Sequence, residues 1–283
     1  SLNEATTFKS ADWFFRNKKI IRVDIDINEM NRVCKPDIGV VADAKRFFSV
    51  FDKMFQSEKN DIINFYKKGI KHAKTPLKRC ADKIEEKKDL LSPVEVCGVI
   101  EKMMPENTVF LGEGGNSGFL AAHHIKTSQR QSYYLDINTG TLGQTIAAAI
   151  GAKTSEPHRH VISICGDGAF LMNANELATA AEYDIPVTWI VFNNGCYGSV
   201  LSGDRKRFGT VVDPYFRKTN IAVIARGFGV QALEVVDRES LHNALVLSIK
   251  LNKPVLIDIK TNPEYEPAFL SYEAKQKETV STG

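Results

Sequence analysis

A chain of 283 residues with 43% hydrophobic and 25% charged residues has the composition of an ordinary globular protein and enough length to bury a sizeable core. Its formal net charge is only +3, and its basic residues do not interleave with aromatics, so no nucleic acid partner is expected. No apolar run approaches the roughly 18–20 residues of a membrane helix, and the start SLNEATTF does not read as a signal peptide, so no membrane association is expected either.

Residues 1–55 hold an apolar strand at 20–27, a short helix near Met30, a strand at 38–41 and a helix through Phe47 and Phe51. This βαβα piece is too small to carry its own core and reads as the end of a larger domain. Residues 56–91 are polar and include Lys67, Lys68, Lys71, Lys74, Lys78 and Lys83; they read as a solvated helical linker. From 92 to 262 strands and helices alternate. Ser92 is a suitable N-cap for a helix reaching Met104. A strand at 108–114 follows, then a helix from Ser117, a strand at 132–137 and a helix at 142–152. Next come VISIC at 161–165, a helix at 173–183, and VTWIVF at 187–192. After a longer loop the pattern gives a helix at 221–226, a strand at 230–235, a helix at 239–250 and a strand at 254–259. Such alternation predicts an α/β domain with a doubly wound parallel sheet covered on both faces. Residues 263–283 are polar and read as a tail.

The cysteines are Cys34, Cys80, Cys97, Cys165 and Cys196, an odd number with no C-x-x-C pair. This usage suits a reducing compartment, and a cytoplasmic protein is expected. Cys165 lies inside an apolar strand, where it should pack as a small hydrophobe.

The chemistry concentrates between Val161 and Gly198, in VISICGDGAFLMNANELATAAEYDIPVTWIVFNNGCYG. One strand ends on Gly166, Asp167 and Gly168, and the next ends on Asn193 and Asn194. A βαβ unit is right-handed with parallel strands. If the two strands are neighbours, Asp167 and Asn194 emerge at the sheet edge where open α/β sheets bind ligands. A carboxylate and a carboxamide oxygen there suit Mg²⁺, which takes few protein oxygens and the rest from phosphate and water. The glycines let backbone approach a phosphate, and the N–H groups of Ala169 and Phe170 at the helix start would face it. GDG alone, or NN alone, is a common loop device. Joined by a crossover helix, 27 positions apart from Asp167 to Asn194, they are far more specific.

That stretch resembles the diphosphate-binding motif of thiamine diphosphate enzymes, which opens with GDG and closes with NN. It is most similar to the branch containing acetolactate synthase, benzoylformate decarboxylase and pyruvate decarboxylase. The resemblance implies that Asp167 and the Asn194 side chain ligate Mg²⁺ and that the Cys196 backbone carbonyl adds a third ligand. NTGTLGQTIAAAIGA at 138–152 resembles the segment that holds the aminopyrimidine. By that resemblance Gly140 offers its carbonyl to the exocyclic amine, and Leu142 is the wedge that keeps the cofactor bent. GEGGNSG at 112–118 resembles a turn contacting the diphosphate, which implicates Asn116 and Ser117 and leaves Glu113 open between contact and structural acid. KKIIRVDIDINEMNRVCKPDIGVVADAKRFF at 18–48 resembles the end of the family's Rossmann-like middle domain. Some members hold FAD or ADP there; Ala42 stands where Gly is usual, which weighs against FAD.

The family's first domain carries a glutamate that hydrogen-bonds the pyrimidine and starts ylide formation. This chain opens inside the middle domain, and Glu176, on the crossover helix, reads as a surface or packing residue rather than a substitute. The resemblance therefore implies either a cleaved fragment or a split enzyme acting on a small 2-keto acid, in which a partner chain bears the pyrimidine-binding domain and the first half of the middle domain in a hetero-oligomer. YGSVLSGDRKRFG at 197–209 lacks the Trp that acetolactate synthases place nearby, so decarboxylation and carboligation both stay open. A non-catalytic assembly or regulatory subunit is the second reading; intact Asp167, Asn194 and Leu142 count against it. There is no G-x-x-x-x-G-K-[ST] loop and no G-x-G-x-x-G after a strand, which counts against a generic nucleotide-binding module.

Overall fold

The computed structural model describes residues 18–32, 34–54, 90–127, 132–135, 140–217 and 219–262. Most of the lysine-rich segment, Cys80, Asn138 and the tail at 263–283 lie outside the described residues. The chain divides into two compact units, Ser1–Cys80 and Ala81–Gly283.

In the first unit β1 (Ile21–Asp24) and β2 (Ile38–Val41) pair in parallel, Ile21 opposite Ile38. A 3₁₀ turn at Ile27–Glu29 lies between them, and α1 (Ala44–Met54) follows. β1 ends at Asp24, earlier than expected, because carboxylates fold the next residues into turns. Asp24 accepts from the Asp26 N–H at 3.2 Å, and Asp26 accepts from the Asn28 N–H at 2.8 Å. Ile21, Ile38, Val41 and Phe48 remain exposed.

The second unit runs α2 (Pro93–Met103), β3 (Val109–Gly112), α3 (Asn116–His124), β4 (Tyr133–Leu135), α4 (Gln144–Ser155) and β5 (Val161–Gly166). It continues α5 (Asp167–Asn173), α6 (Glu176–Glu182), β6 (Val187–Asn193), α7 (Gly198–Phe208), α8 (Ile221–Gly227), β7 (Gln231–Val235), α9 (Arg238–Leu251) and β8 (Val255–Lys260). The six strands lie in the order β4-β3-β5-β6-β8-β7, and every pairing is parallel.

Strand side chains alternate between two helical layers, as the pleat dictates. On β6, Val187, Trp189 and Val191 pack towards α4, α6 and α8, while Ile190 and Phe192 pack towards α2, α3 and α9. β5 divides likewise, with Val161 and Cys165 on the first side and Ile162 and Ile164 on the second. Burial on both faces explains why these strands read as continuous apolar runs. Among the described residues no helix is long and apolar enough to cross a membrane.

Three local expectations need correction. The crossover between β5 and β6 is two helices, not one at 173–183. α5 starts directly at Asp167, and the chain turns at Ala174 and Asn175, where the bonds Leu177 N→Ala174 O and Ala178 N→Asn175 O span three residues rather than four. The long loop after β6 contains α7, closed by Gly209 at φ 70°. Its polar, Arg-rich sequence hid it from an apolar-period search, although Arg is a good helix former. Ser92 stands at the N-cap of α2, but its side chain makes no capping hydrogen bond; Pro93 opens the helix instead.

Candidate functional site

The sheet order creates the site. From β3 the chain moves outward to β4, then crosses back to β5 on the opposite side of β3. Where the chain leaves two neighbouring strands in opposite directions, as it leaves β3 and β5, their carboxyl ends border a crevice at the switch point. A cavity lies there. It is lined by residues following β3 (Gly114 to Ser117), β5 (Asp167 to Ala169), β6 (Asn194, Cys196 to Ser199) and β8 (Thr261 and Asn262). Leu142 enters its wall from the turn before α4.

β5 and β6 are direct neighbours, with Gly166 opposite Phe192. Asp167, 2% exposed, therefore meets the turn that follows β6. Its Oδ2 accepts from the Gly195 N–H at 2.6 Å and its Oδ1 from the Gly168 N–H at 2.9 Å. Burial nevertheless pushes its carboxyl up to about 6, against the pull of the Gly195, Gly168 and Asn194 N–H groups. Gly195 has φ 72°, a left-handed conformation. That lets its N–H face Asp167 while Asn194 Oδ1 accepts from the Cys196 N–H at 3.1 Å.

Glycines make the floor. A Cβ on Gly198 would come within 3.3 Å of Asn116 Nδ2 and 3.4 Å of Asn194 Nδ2. One on Gly166 would sit 3.5 Å from Ser117 Oγ. The amides of Asn116 and Asn194 thus converge on one glycine, with the Ser117 hydroxyl close to another. One wall is clipped shut from the far side of α7. Tyr197 N–H donates to Pro214 O at 2.9 Å and Phe216 N–H to Gly195 O at 3.0 Å. The Tyr197 and Phe216 rings lie 5.2 Å apart, and a Cβ on Gly168 would come 2.7 Å from the Tyr197 ring.

Of the residues expected from the sequence, Asn116, Ser117, Leu142, Gly166, Asp167, Gly168, Ala169, Asn194 and Cys196 line this cavity. Gly140 and Phe170 do not. Gly140 has φ 64°, and Phe170 is wholly buried in the core. Glu113 is also absent from the lining. Sequence reasoning passed over Tyr197, Thr261 and Asn262. Tyr197 follows the NN turn closely enough to have been considered; Thr261 and Asn262 come from a strand whose position only the sheet order reveals.

Among the described residues no three His, Cys, Asp or Glu side chains gather as a metal cage. The donors at hand are one buried carboxylate, one carboxamide and backbone oxygens on adjacent strand tips. All are hard oxygen donors. They fit Mg²⁺ whose shell is completed by phosphate and water, and a cation would relieve the desolvation that raises Asp167.

The chain matches the family profile of the thiamine pyrophosphate enzyme C-terminal TPP binding domain over residues 113–259. It is 31% identical to a probable acetolactate synthase large subunit of Methanocaldococcus jannaschii over 257 residues, covering 89% of this chain and 43% of that protein. It is 32% identical to the benzoylformate decarboxylase of Pseudomonas aeruginosa over 176 residues, covering 60% of this chain and 32% of that one. The solved thiamine diphosphate-dependent 4-hydroxybenzoylformate decarboxylase of Rhodococcus jostii superposes with a TM-score of 0.58 at 28% identity, over 63% of this chain and 34% of that one. The chain thus spans less than half the length of these relatives. With its parallel six-stranded sheet and the profile match over 113–259, it belongs to the thiamine pyrophosphate enzymes and carries their C-terminal cofactor-binding domain.

Proposed function

We propose that this chain is the diphosphate-binding part of a thiamine diphosphate-dependent 2-keto acid decarboxylase or carboligase, with Mg²⁺ as the bridging ion. The observation that supports it most is the meeting of Asp167 with the Asn194–Gly195 turn at adjacent parallel strand tips, over a glycine-lined cavity. Asp167, Asn194 and the Cys196 carbonyl would hold the ion. Asn116 and Ser117, with the backbone N–H groups of Ala169 and Phe170, would orient the diphosphate. Leu142 would support the thiazolium, and Gly140 would offer its carbonyl to the aminopyrimidine. Thiamine diphosphate supplies a carbon nucleophile and an electron sink for cleaving the bond beside a keto carbon. The chain's own residues bind it and orient it.

The glutamate and pyrimidine-binding domain of a complete site belong, in this proposal, to a partner chain in a hetero-oligomer. The chain covers 43% and 32% of the Methanocaldococcus jannaschii and Pseudomonas aeruginosa relatives, which supports a site completed by further sequence. Residues 1–55 would then be the closing part of a Rossmann-like middle domain, 56–91 a linker and 92–262 the cofactor domain. No disulfide joins Cys34, Cys97, Cys165 or Cys196, which suits a reducing cytoplasm. The relatives' names suggest a small 2-keto acid as donor.

Calorimetric titration tests the site. Mg²⁺ with thiamine diphosphate should bind the wild-type chain, and Asp167→Ala should abolish that binding; unchanged affinity refutes the assignment. Pyruvate consumption by the chain should stay low until a protein carrying the glutamate is added, and full activity without it refutes the two-part site.

A further inference from the structure

Glu113 follows β3 directly but turns its carboxylate away from the cavity into the protein. It is 1% exposed. Oε2 accepts from the Thr145 hydroxyl at 2.5 Å and from the Thr145 N–H at 3.2 Å. Ser163 of β5 donates its hydroxyl to Thr145 Oγ1 at 3.2 Å. Thr145 and Ser163 are 3% and 0% exposed. One hydroxyl that donates to a carboxylate and accepts from a serine uses its single proton correctly. The result is a tie joining β3, α4 and β5, shielded from water.

The tie acts on the start of α4. That 12-residue helix has Gly143 at its N-cap, with φ 86° and no side chain to cap it. First-turn N–H groups need partners, and Glu113 reaches one from another strand. A carboxylate at this end also suits the helix dipole and forms a charge-assisted bond. On the other side, Gly143 presses against α5, since a Cβ there would lie 3.0 Å from both Ala169 O and Asn173 Nδ2. Held between Glu113 and α5, the turn has little freedom. Leu142 is the residue just before it, and it lines the cavity.

We propose that Glu113 is a positioning residue: its buried carboxylate fixes the N-terminus of α4 and so sets Leu142 against the thiamine part of the cofactor. The proposal rests on the cofactor reading above. It separates two parts of the site: the Glu113 carboxylate bonds the first turn of α4 beside Leu142, whereas the diphosphate cradle at Asp167 and Asn194 is held by the Gly195 and Cys196 N–H groups.

The test uses the full chain, two probes and a double-mutant cycle. Wild type, Glu113→Gln, Leu142→Ala and the double variant are titrated with Mg²⁺–thiamine diphosphate and with Mg²⁺–inorganic pyrophosphate. Glu113→Gln keeps the size of the side chain and an acceptor oxygen but removes the charge. It should weaken thiamine diphosphate about tenfold, change pyrophosphate less than about twofold, and cost little more once Leu142 is already Ala, because coupled residues are non-additive. Hydrogen exchange at the Thr145 amide should quicken in the same variant without any ligand. Should Glu113→Gln fail to fold, Thr145→Val removes only the hydroxyl link and should show the same selective loss, with Thr145→Ser restoring wild-type behaviour. Equal losses for both probes, or additivity with Leu142→Ala, overturns the positioning role alone. A wild-type chain that binds neither probe at millimolar concentration overturns the cofactor reading and this inference with it.

Discussion

Asp167 sets metal-free stability against cofactor affinity, and pH is the perturbation that separates them. Its carboxyl sits at about 6 in the folded chain against an ordinary value of 3.8, chiefly because burial removes it from water. Between these values the folded state keeps a proton that the unfolded state has lost. The contribution of this group is therefore fully present below pH 4 and is lost as pH rises through 6. Two pKa units correspond to about 3 kcal/mol. Mg²⁺ competes for the same oxygens, so below pH 6 its affinity, measured with thiamine diphosphate, should fall by about tenfold per pH unit. Phosphate itself loses a proton near pH ~6, so the free ligand is titrated separately and its share subtracted. Calorimetry in two buffers of different ionisation heat counts the protons released, and urea unfolding without Mg²⁺ follows stability. Asp167→Asn should flatten the stability profile between pH 4 and 7 relative to wild type. A proton count of zero at pH 5.5 after the ligand correction, or equal stability profiles for wild type and Asp167→Asn, would refute this reasoning.

Other perturbations reach different layers of the molecule. In Gly168→Ala the new methyl would meet the Tyr197 ring at 2.7 Å; the ring must swing, and thiamine diphosphate binding should weaken with the far-ultraviolet circular dichroism unchanged. Trp189 is fully buried and donates Nε1–H to Ile146 O at 3.3 Å, so Trp189→Ala should cost about 3–5 kcal/mol in urea unfolding. Asp258, wholly buried in β8, accepts from Asn193 Nδ2 at 2.9 Å and from Lys260 Nζ at 2.7 Å. Asp258→Ala removes the acceptor of the Lys260 ammonium and leaves the Asn193 amide only Thr219 O at 3.4 Å, next to the Asn194 turn, and should cost about 2–4 kcal/mol while weakening Mg²⁺ binding.

How far these features were readable in advance depended on their range along the chain. The strands carrying Gly166 and Asn193 were legible because burial on two faces demands unbroken apolar runs, and their parallel direction followed from the crossover between them, whereas only the structure made them neighbours. α7 was not legible, since a polar helix has no strong apolar stripe to betray it. The break at Ala174 and Asn175 was missed because both residues still have right-handed helical dihedrals and only the hydrogen-bond span changes. Glu113 was left open between two roles because its partner Thr145 lies 32 positions away.

By itself the sequence determined the α/β class, the glycine-flanked carboxylate and the paired asparagines at strand ends, because these depend on local periodicity and short-range turn chemistry. Tertiary structure alone decided that the chain leaves the paired strands β3 and β5 in opposite directions, that Thr261 and Asn262 join the cavity, and that Glu113 faces Thr145 rather than solvent. Sheet order and side-chain burial arise from contacts between residues far apart in the chain, and spacing along one dimension does not encode which of them meet.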